Sequence, residues 1–282
     1  MPGLGLGLEM PKMIDGSSSL GIIDKLGGVV KSGFVLGFSY HLLTRDYKGY
    51  CLRVRRASDD TTLDIGFVGG YIDYASINAF CAGTNGFVAI YYNQYSAGND
   101  AIQATLASQL KIYDSVTGFI NDGPKLDGTD DRFTIIKYVN IDIVSPKISF
   151  YLNIKNVALN GYIYCLNGSG YPEIQHGVYK VPDEFRFYSE GSLRIAKDNS
   201  NVPLMLTWNS ININDFKFID SNSSINTTFN LTLTSRNNVN IGCRSSNADN
   251  SIGESFGSGN LKTLIIFNTN RYADYVLISS LV

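Results

Sequence analysis

Past residue 132 the chain breaks into short strand-like runs separated by turn residues, and this rhythm narrows the possible folds more than any other feature. The runs are 133–140, 148–155, 161–166, 176–181, 185–188, 192–197, 203–208, 228–234, 238–243 and 261–268, rich in β-branched and aromatic residues. Leu159-Asn160-Gly161, Asn167-Gly168-Ser169-Gly170 and Arg236-Asn237-Asn238 lie between them and suit tight reversals. Such spacing predicts an all-β, two-layer sandwich with small helical decorations. The chain has 282 residues, 44% of them hydrophobic, enough for one large β domain with a sizeable core. Only 17% are charged, while Tyr, Phe and Gly number 18, 15 and 28, as expected for strands joined by polar loops.

Several function classes are excluded. The 23 Lys+Arg against 25 Asp+Glu leave a formal charge of -2, so no basic field draws nucleic acid. The longest apolar runs, such as Leu264-Ile265-Ile266-Phe267, fall far short of the roughly 18 residues a membrane span needs. Cys51, Cys81, Cys165 and Cys243 form no closely spaced pair and the only histidines are His41 and His176, so no metal site is expected. The cysteines read as buried thiols, with a Cys51–Cys81 bridge left open. Gly66-Phe67-Val68-Gly69-Gly70 lacks the spacing of a nucleotide loop, and no Gly-x-Ser-x-Gly occurs, so no cofactor is expected.

Two domains of unequal kind are predicted. Residues 1–35 form an N-terminal arm, in which Leu4, Leu6 and Leu8 alternate with Gly and would share one face of an extended strand. Such a segment gains order by docking elsewhere, which makes these leucines candidates for an attachment site. Residues 36–282 form the sandwich. Within it, Phe38 to Leu43 reads as a short helix or turn, and Tyr50 to Arg56 as a strand with Arg53 and Arg55 on one face. Arg53, Arg55 and Arg56 beside Asp59, Asp60 and Asp64 predict a charge network at a strand end. Asp73 is placed to cap a helix carrying Ile77, Phe80 and Cys81, and Phe87 to Tyr92 is a compact strand. Asp127 to Arg132 reads as a turn, since it lacks the spaced acids of a calcium loop. Ser245 to Gly259, rich in Ser, Asn and Gly, reads as a mobile or ligand-facing loop.

Four segments carry a resemblance. They are Tyr50 to Gly66, Phe80 to Asp100, Lys125 to Phe133, and the strand, loop and returning strand of Asn240 to Phe267. Together they resemble the catalytic domain of fungal α-L-arabinofuranosidase B, which implies a concanavalin-A-like, jelly-roll sandwich. The pattern is similar to that of virion and tail proteins of phages of Bacteroidetes-type bacteria, whose Pro-Gly-Leu-rich leader Met1 to Leu8 is similar to.

The resemblance implies a pair of carboxyls, one nucleophile and one acid/base, about 5–5.5 Å apart in a retaining glycosidase. No nucleophile is placed. The acid/base loop of the family is similar to Asn247-Ala248-Asp249-Asn250-Ser251 after Ile241-Gly242, which makes Asp249 the candidate, although counting from Gly242 lands on Ser246. The family's adjacent cysteine pair is absent. Its turn Tyr-Asp-Gln-Ser-Gly-Asn-Gly appears as Tyr92-Asn93-Gln94-Tyr95-Ser96-Ala97-Gly98, with the acid replaced by Asn93. Trp208, Tyr162, Tyr164 and Tyr171 are candidates to stack on a sugar ring.

The expected function is therefore a non-enzymatic bacteriophage virion protein. It would be a head decoration, fibre or tail-associated component that displays a lectin-like sandwich and binds host glycan. The expected partners are other virion proteins through the arm, a host surface glycan and further copies in a homo-oligomer, without nucleic acid or membrane insertion. With no basic n-region or proper apolar core at its start, the chain is expected to be made in the host cytoplasm and released by lysis within the virion. The alternative is a glycoside hydrolase of arabinofuranosidase type, or a carbohydrate-binding lectin.

Overall fold

Extended runs of β-branched and aromatic residues satisfy their backbone groups by pairing side by side, and here they pair into a β-sandwich. The computed structural model describes residues 21–26, 33–95, 98–135, 147–157, 161–167, 174–181, 184–189, 191–196, 204–209, 215–220, 224–228, 238–245, 253–254, 256–269 and 271–281, and between 163 and 228 it describes the backbone. The first strands are β1 (Phe34–Ser39), β2 (Leu52–Arg56), β3 (Thr62–Ile65), β4 (Phe67–Val68), β5 (Tyr71–Ile72), β6 (Gly86–Tyr91), β7 (Ala101–Ile102), β8 (Lys111–Asp114), β9 (Gly118–Phe119), β10 (Lys125–Asp127) and β11 (Phe133–Ile135). There follow β12 (Lys147–Lys155), β13 (Gly161–Asn167), β14 (Ile174–Val181), β15 (Glu184–Ser189), β16 (Gly191–Ala196), β17 (Leu204–Asn209), β18 (Asp215–Asp220), β19 (Ser224–Thr228), β20 (Asn238–Ile241), β21 (Arg244–Ser245), β22 (Gly253–Glu254) and β23 (Ser258–Phe267). Short helices α1 (Ile22–Lys25), α2 (Tyr74–Phe80) and α3 (Tyr275–Leu281) decorate them.

One antiparallel series runs β19–β18–β17–β12–β23–β1. A second runs β16–β15–β14–β13–β20–β11–β7–β6–β2–β3. Strands β8 and β10 join the two by pairing in turn with β6, with each other and with β23.

Strand β23 shows why the apolar run Leu264 to Phe267 is continuous rather than alternating. Leu264 and Ile266 point into the main core with Phe38 of β1, Leu152 of β12 and Ile241 of β20. Ile265 and Phe267 point the other way, into a second core with Ile22 and Ile23 of α1, Phe34, Leu43, Tyr151, and Tyr275 and Ile278 of α3. A strand covered on both faces needs apolar residues at every position. Backbone bonds pin α1 there, Ile22 N to Leu42 O at 3.0 Å and Ile23 N to Leu43 O at 2.7 Å. Between β1 and β23 the hydroxyls of Ser39 and Thr263 meet at 2.8 Å, so the polar pair inside the sheet satisfies itself.

Most strand expectations hold in place, and the departures have physical causes. Residues 38–43 are not a helix: β1 runs through Phe38 to Ser39, and the Tyr40 carbonyl accepts from Ile72 N at 2.7 Å. Both faces of β1 are buried, which hides the alternation that marks a strand. Of the strand expected at 228–234, only Thr228 is described, as the end of β19, and residues 229–234 lie outside the described residues; β18 joins the set, its Phe216-Lys217-Phe218 alternating between two aspartates. Helix α2 begins after Asp73, whose side chain accepts from Ser76 N at 3.0 Å, and it buries Ile77. Cys51, Cys81 and Cys243 are free and buried. The packed fold takes in Ile22, Ile23, Phe34 and Val35. Leu4, Leu6 and Leu8 lie outside the described residues.

Because both faces of β23 are packed, Ile265→Ala and Ile266→Ala should each cost about 2–5 kcal/mol in urea denaturation. A strand with one solvent face would lose that amount at only one of these neighbours.

A tyrosine-lined cavity as the candidate functional site

The expected charge network forms and leads to a cavity. Arg53 and Asp64 sit opposite each other across β2 and β3 and pair through two bonds of 2.8 Å, a fork-to-carboxylate geometry. Arg55 reaches Asp60 at 2.7 Å and Gln109 at 2.7 Å, with its guanidinium 4.9 Å above the Phe87 ring. Arg56 pairs with Asp59. Asp60 makes the hairpin possible by adopting φ 57°, the left-handed region that Asp tolerates in turns. Asp64 also accepts the Tyr92 hydroxyl at 2.7 Å. Burial raises the Asp64 carboxyl, but the bonds from Arg53 and Tyr92 outweigh it and hold it below its ordinary range. Burial and then Asp64 push the Tyr92 hydroxyl up, so it stays a donor.

Tyr92 opens a cavity of about 630 Å³ bounded by Phe34, the loop Thr44–Tyr50, and the turn from Tyr92 to Asp100. Four tyrosines line it: Tyr47, Tyr50, Tyr92 and Tyr95. The Tyr50 and Tyr92 rings lie 6.1 Å apart, and Tyr95 meets Phe34 edge-on at 5.3 Å. Tyr47 donates to the Tyr50 carbonyl at 2.7 Å, which fixes the loop. The charged lining groups are Asp46, Lys48 and Asp100. Burial raises the Asp100 carboxyl, opposed by the Asn93 N–H it accepts at 2.8 Å.

The polar side chains of the turn hold the fold. Asn93 Oδ1 accepts from Gly37 N at 3.0 Å and Tyr95 N at 3.1 Å. Gln94 Oε1 accepts from Leu43 N at 2.8 Å, while its Nε2 donates to Ser39 O at 2.8 Å and His41 O at 3.0 Å. Both are buried and cover the edge of β1 that faces away from β23. Without Gln94, the Leu43 N–H would lose its partner, at about 1–3 kcal/mol if left buried, while the Ser39 carbonyl would keep the Cys51 thiol at 3.3 Å. The side-chain oxygen of Asn93 is therefore spent on the backbone.

Other expected site residues lie elsewhere. Tyr162 is buried on β13 and packs in the interior. Tyr164 is on β13, opposite Val178 and Ile241, and Trp208 is on β17, opposite Ile148 and Phe216. Tyr171 and Asp249 are outside the described residues, Asp249 in the connection between β21 and β22, which pair as a hairpin. Gly242, leading into that hairpin, has φ 86° and lies so close to its neighbours that a Cβ would come 2.4 Å from Leu126 Cδ2. No aromatic signal in the sequence singles out Tyr47 and Tyr50. The turn from Tyr92 was visible through its likeness to the family turn.

Asp127, Asp130 and Asp131 bring their carboxylate oxygens within 4.8 Å of one another. Asp127 and Asp131 bond within the turn, and Asp130 ties it to Ser108. Asp127 accepts from Thr129 N at 2.7 Å, Asp130 from the Ser108 hydroxyl at 2.8 Å, and Asp131 from Asp127 N at 3.0 Å. Burial, then the charge of Asp127, push the Asp131 carboxyl up to about 7.

Three comparisons set these observations among known proteins. The family pattern described as "Alpha-L-arabinofuranosidase B, catalytic" matches residues 39–123, a span that includes the cavity turn. No curated protein sequence matches the chain. A GH54 α-L-arabinofuranosidase soaked with a cyclic sulfate inhibitor matches with a TM-score of 0.68 and 14% identity, over 93% of this chain and 64% of that one. An arabinofuranosidase complexed with arabinofuranosyl-α-1,2-xylobiose matches over the same shares, with a TM-score of 0.61 and 14% identity. The chain thus spans about two thirds of the length of these structures, and shares their sandwich fold.

The raised Asp131 means that the folded state holds a proton the unfolded chain has released. That contribution to stability is present at low pH and lost as the pH rises through about 7. Urea midpoints measured from about pH 4 to about pH 8 should fall more steeply for the wild type than for Asp131→Asn.

Proposed function

We propose that this chain is a carbohydrate-binding sandwich of the arabinofuranosidase B kind, carried on a bacteriophage particle, that holds a glycan without cleaving it. The observation that carries the binding half is the tyrosine cavity, built on the turn within the family match. Tyrosine rings give broad apolar faces for the C–H faces of a sugar, and their hydroxyls with Asp46, Lys48 and Asp100 offer polar contacts at the rim. Binding without cleavage is favoured by Asn93, which stands where the family turn has an acid and spends its oxygen on two backbone N–H groups. The absent cysteine pair points the same way. The virion setting rests on the likeness of Met1 to Leu8 to phage leaders, with residues 1–20 as the attaching segment.

Isothermal titration with arabinofuranosyl-substituted xylo-oligosaccharides, backed by a glycan panel, tests the binding half. The wild type should bind a neutral glycan, and Tyr92→Ala should weaken it about tenfold, the size of one lost aromatic contact, with the melting temperature as a check on folding. Equal affinity in a folded Tyr92→Ala would remove the cavity from the site. Turnover of 4-nitrophenyl α-L-arabinofuranoside that disappears in Asp249→Asn would replace binding by hydrolysis.

Quantitative mass spectrometry of purified particles tests the virion half. Stoichiometric copies of the chain are expected, with the copy number separating head decoration from tail fibre. Absence from particles would leave a glycan-binding protein of another setting.

A further inference from the structure

Strand β23 is interrupted at one residue. Against β12, Asn153 faces Thr263 and Ile154 faces Leu261, which leaves Lys262 without a cross-strand partner. On the other flank, β1 stops pairing at Thr263 and β10 begins at Asn260. Lys262 is thus the extra residue of a β-bulge, a device that re-aims a side chain out of the regular alternation. The bulge is held from both sides. The Lys262 carbonyl accepts the Tyr91 hydroxyl at 3.0 Å, and Gly123 lies so close that a Cβ there would come 2.4 Å from Lys262 N.

The side chain so aimed is a half-buried cation. Its Nζ sits 5.4 Å from the centroid of the Tyr71 ring and makes no hydrogen bond or ion pair among the described residues. Asp122 lies near enough to feel the charge but is engaged by Lys155 at 2.9 Å and Asn156 at 3.4 Å. Burial, then the charge of Lys155, push the Lys262 ammonium down from its ordinary value, the behaviour of a cation short of a counter-charge.

Beside this cation lies an aromatic surface. Tyr71 and Phe119 both pack on the buried Tyr40, at 6.2 and 5.6 Å, and Tyr74 stacks on Phe119 at 6.0 Å and 26°. Tyr74 is 53% exposed, so the ring is open to a ligand on the side away from Phe119. Tyr71 donates to Asn121 Oδ1 at 2.8 Å, which turns the amide nitrogen of the exposed Asn121 away from Tyr71. None of these residues lines the tyrosine cavity.

We infer that this face is a second binding site, for a sugar ring that bears a carboxylate. The ring would lie on the aromatic surface, its carboxylate would take the place opposite Lys262, and the Asn121 amide would donate to a hydroxyl. The exposed Tyr74 ring with an amide donor nearby selects for a hydroxylated ring, and the lysine, without an ion pair among the described residues, selects for its charge.

Titration of the full chain with sodium glucuronate, glucose and sodium acetate tests the site. Glucuronate should bind at least about tenfold more tightly than glucose or acetate. Lys262→Met and Tyr74→Ala should each weaken it about tenfold or more, and Tyr92→Ala in the cavity should leave it unchanged. Tyr74 is exposed at the first position of α2, so Tyr74→Ala keeps the test open if Lys262→Met fails to fold. No glucuronate binding, acetate or glucose binding as tight as glucuronate, indifference to both substitutions, or loss with Tyr92→Ala would each overturn the inference. Acetate as tight as glucuronate would mark the face as a general carboxylate site, as for an acidic peptide. Because the cavity is read by Tyr92→Ala and neutral glycans, either site can fail without the other.

Discussion

Alternate residues of β23 fall into two different cores, and the placement of nearly every other element follows from that. Leu264 and Ile266 hold the main core together, while Ile265 and Phe267 need a cover that the sandwich itself does not supply. Helices α1 and α3 provide it, from opposite ends of the described chain. Covering that face buries β1 and β12 on both sides as well, through Phe34 and Tyr151. With β23 fixed, β1 can be flanked on its outer edge by the turn of Asn93 and Gln94, and the cavity opens where that turn leaves the edge.

The turn divides its side chains between two tasks. Asn93 and Gln94 point inward and saturate backbone groups, whereas Tyr92 and Tyr95 face the cavity. The same division appears at Asp64, which sets the Tyr92 hydroxyl through the Arg53 fork rather than meeting a ligand itself. Rings held by buried amides and an ion pair lose little freedom when they receive a ligand, which favours binding. This arrangement uses the scaffold shared with arabinofuranosidases to position the rings.

Much of this was legible in the sequence and the reasons for the rest are physical. Strands with one solvent face announced themselves by alternation, as β2 did through Leu52 and Val54, and the Arg and Asp residues beside it paired as their spacing suggested. Strand β1 shows no alternation because it is buried on both faces, and the cover responsible comes from residues far away in sequence. The cavity gathers Phe34, Tyr47 and Tyr92 from three separate segments, a proximity that no local pattern encodes. Residue type alone makes Tyr162 a candidate to stack on sugar, whereas packing places it in the interior. The bulge at Lys262 is likewise invisible from its neighbours, since a register shift belongs to a pair of strands and not to one of them.

The order in which the chain emerges during synthesis bears on β23 as well. The strand at the centre of the sheet is made long after its partner β1, and its Thr263 meets Ser39 across a separation of 224 residues. Until it arrives, β1, β10 and β12 each present an edge with its hydrogen-bonding groups unmet, and the face destined for α3 stays bare. Closure of the sheet therefore waits for β23. A chain stalled before β23 exposes apolar sheet edges to its neighbours, and pairing across so long a separation slows folding.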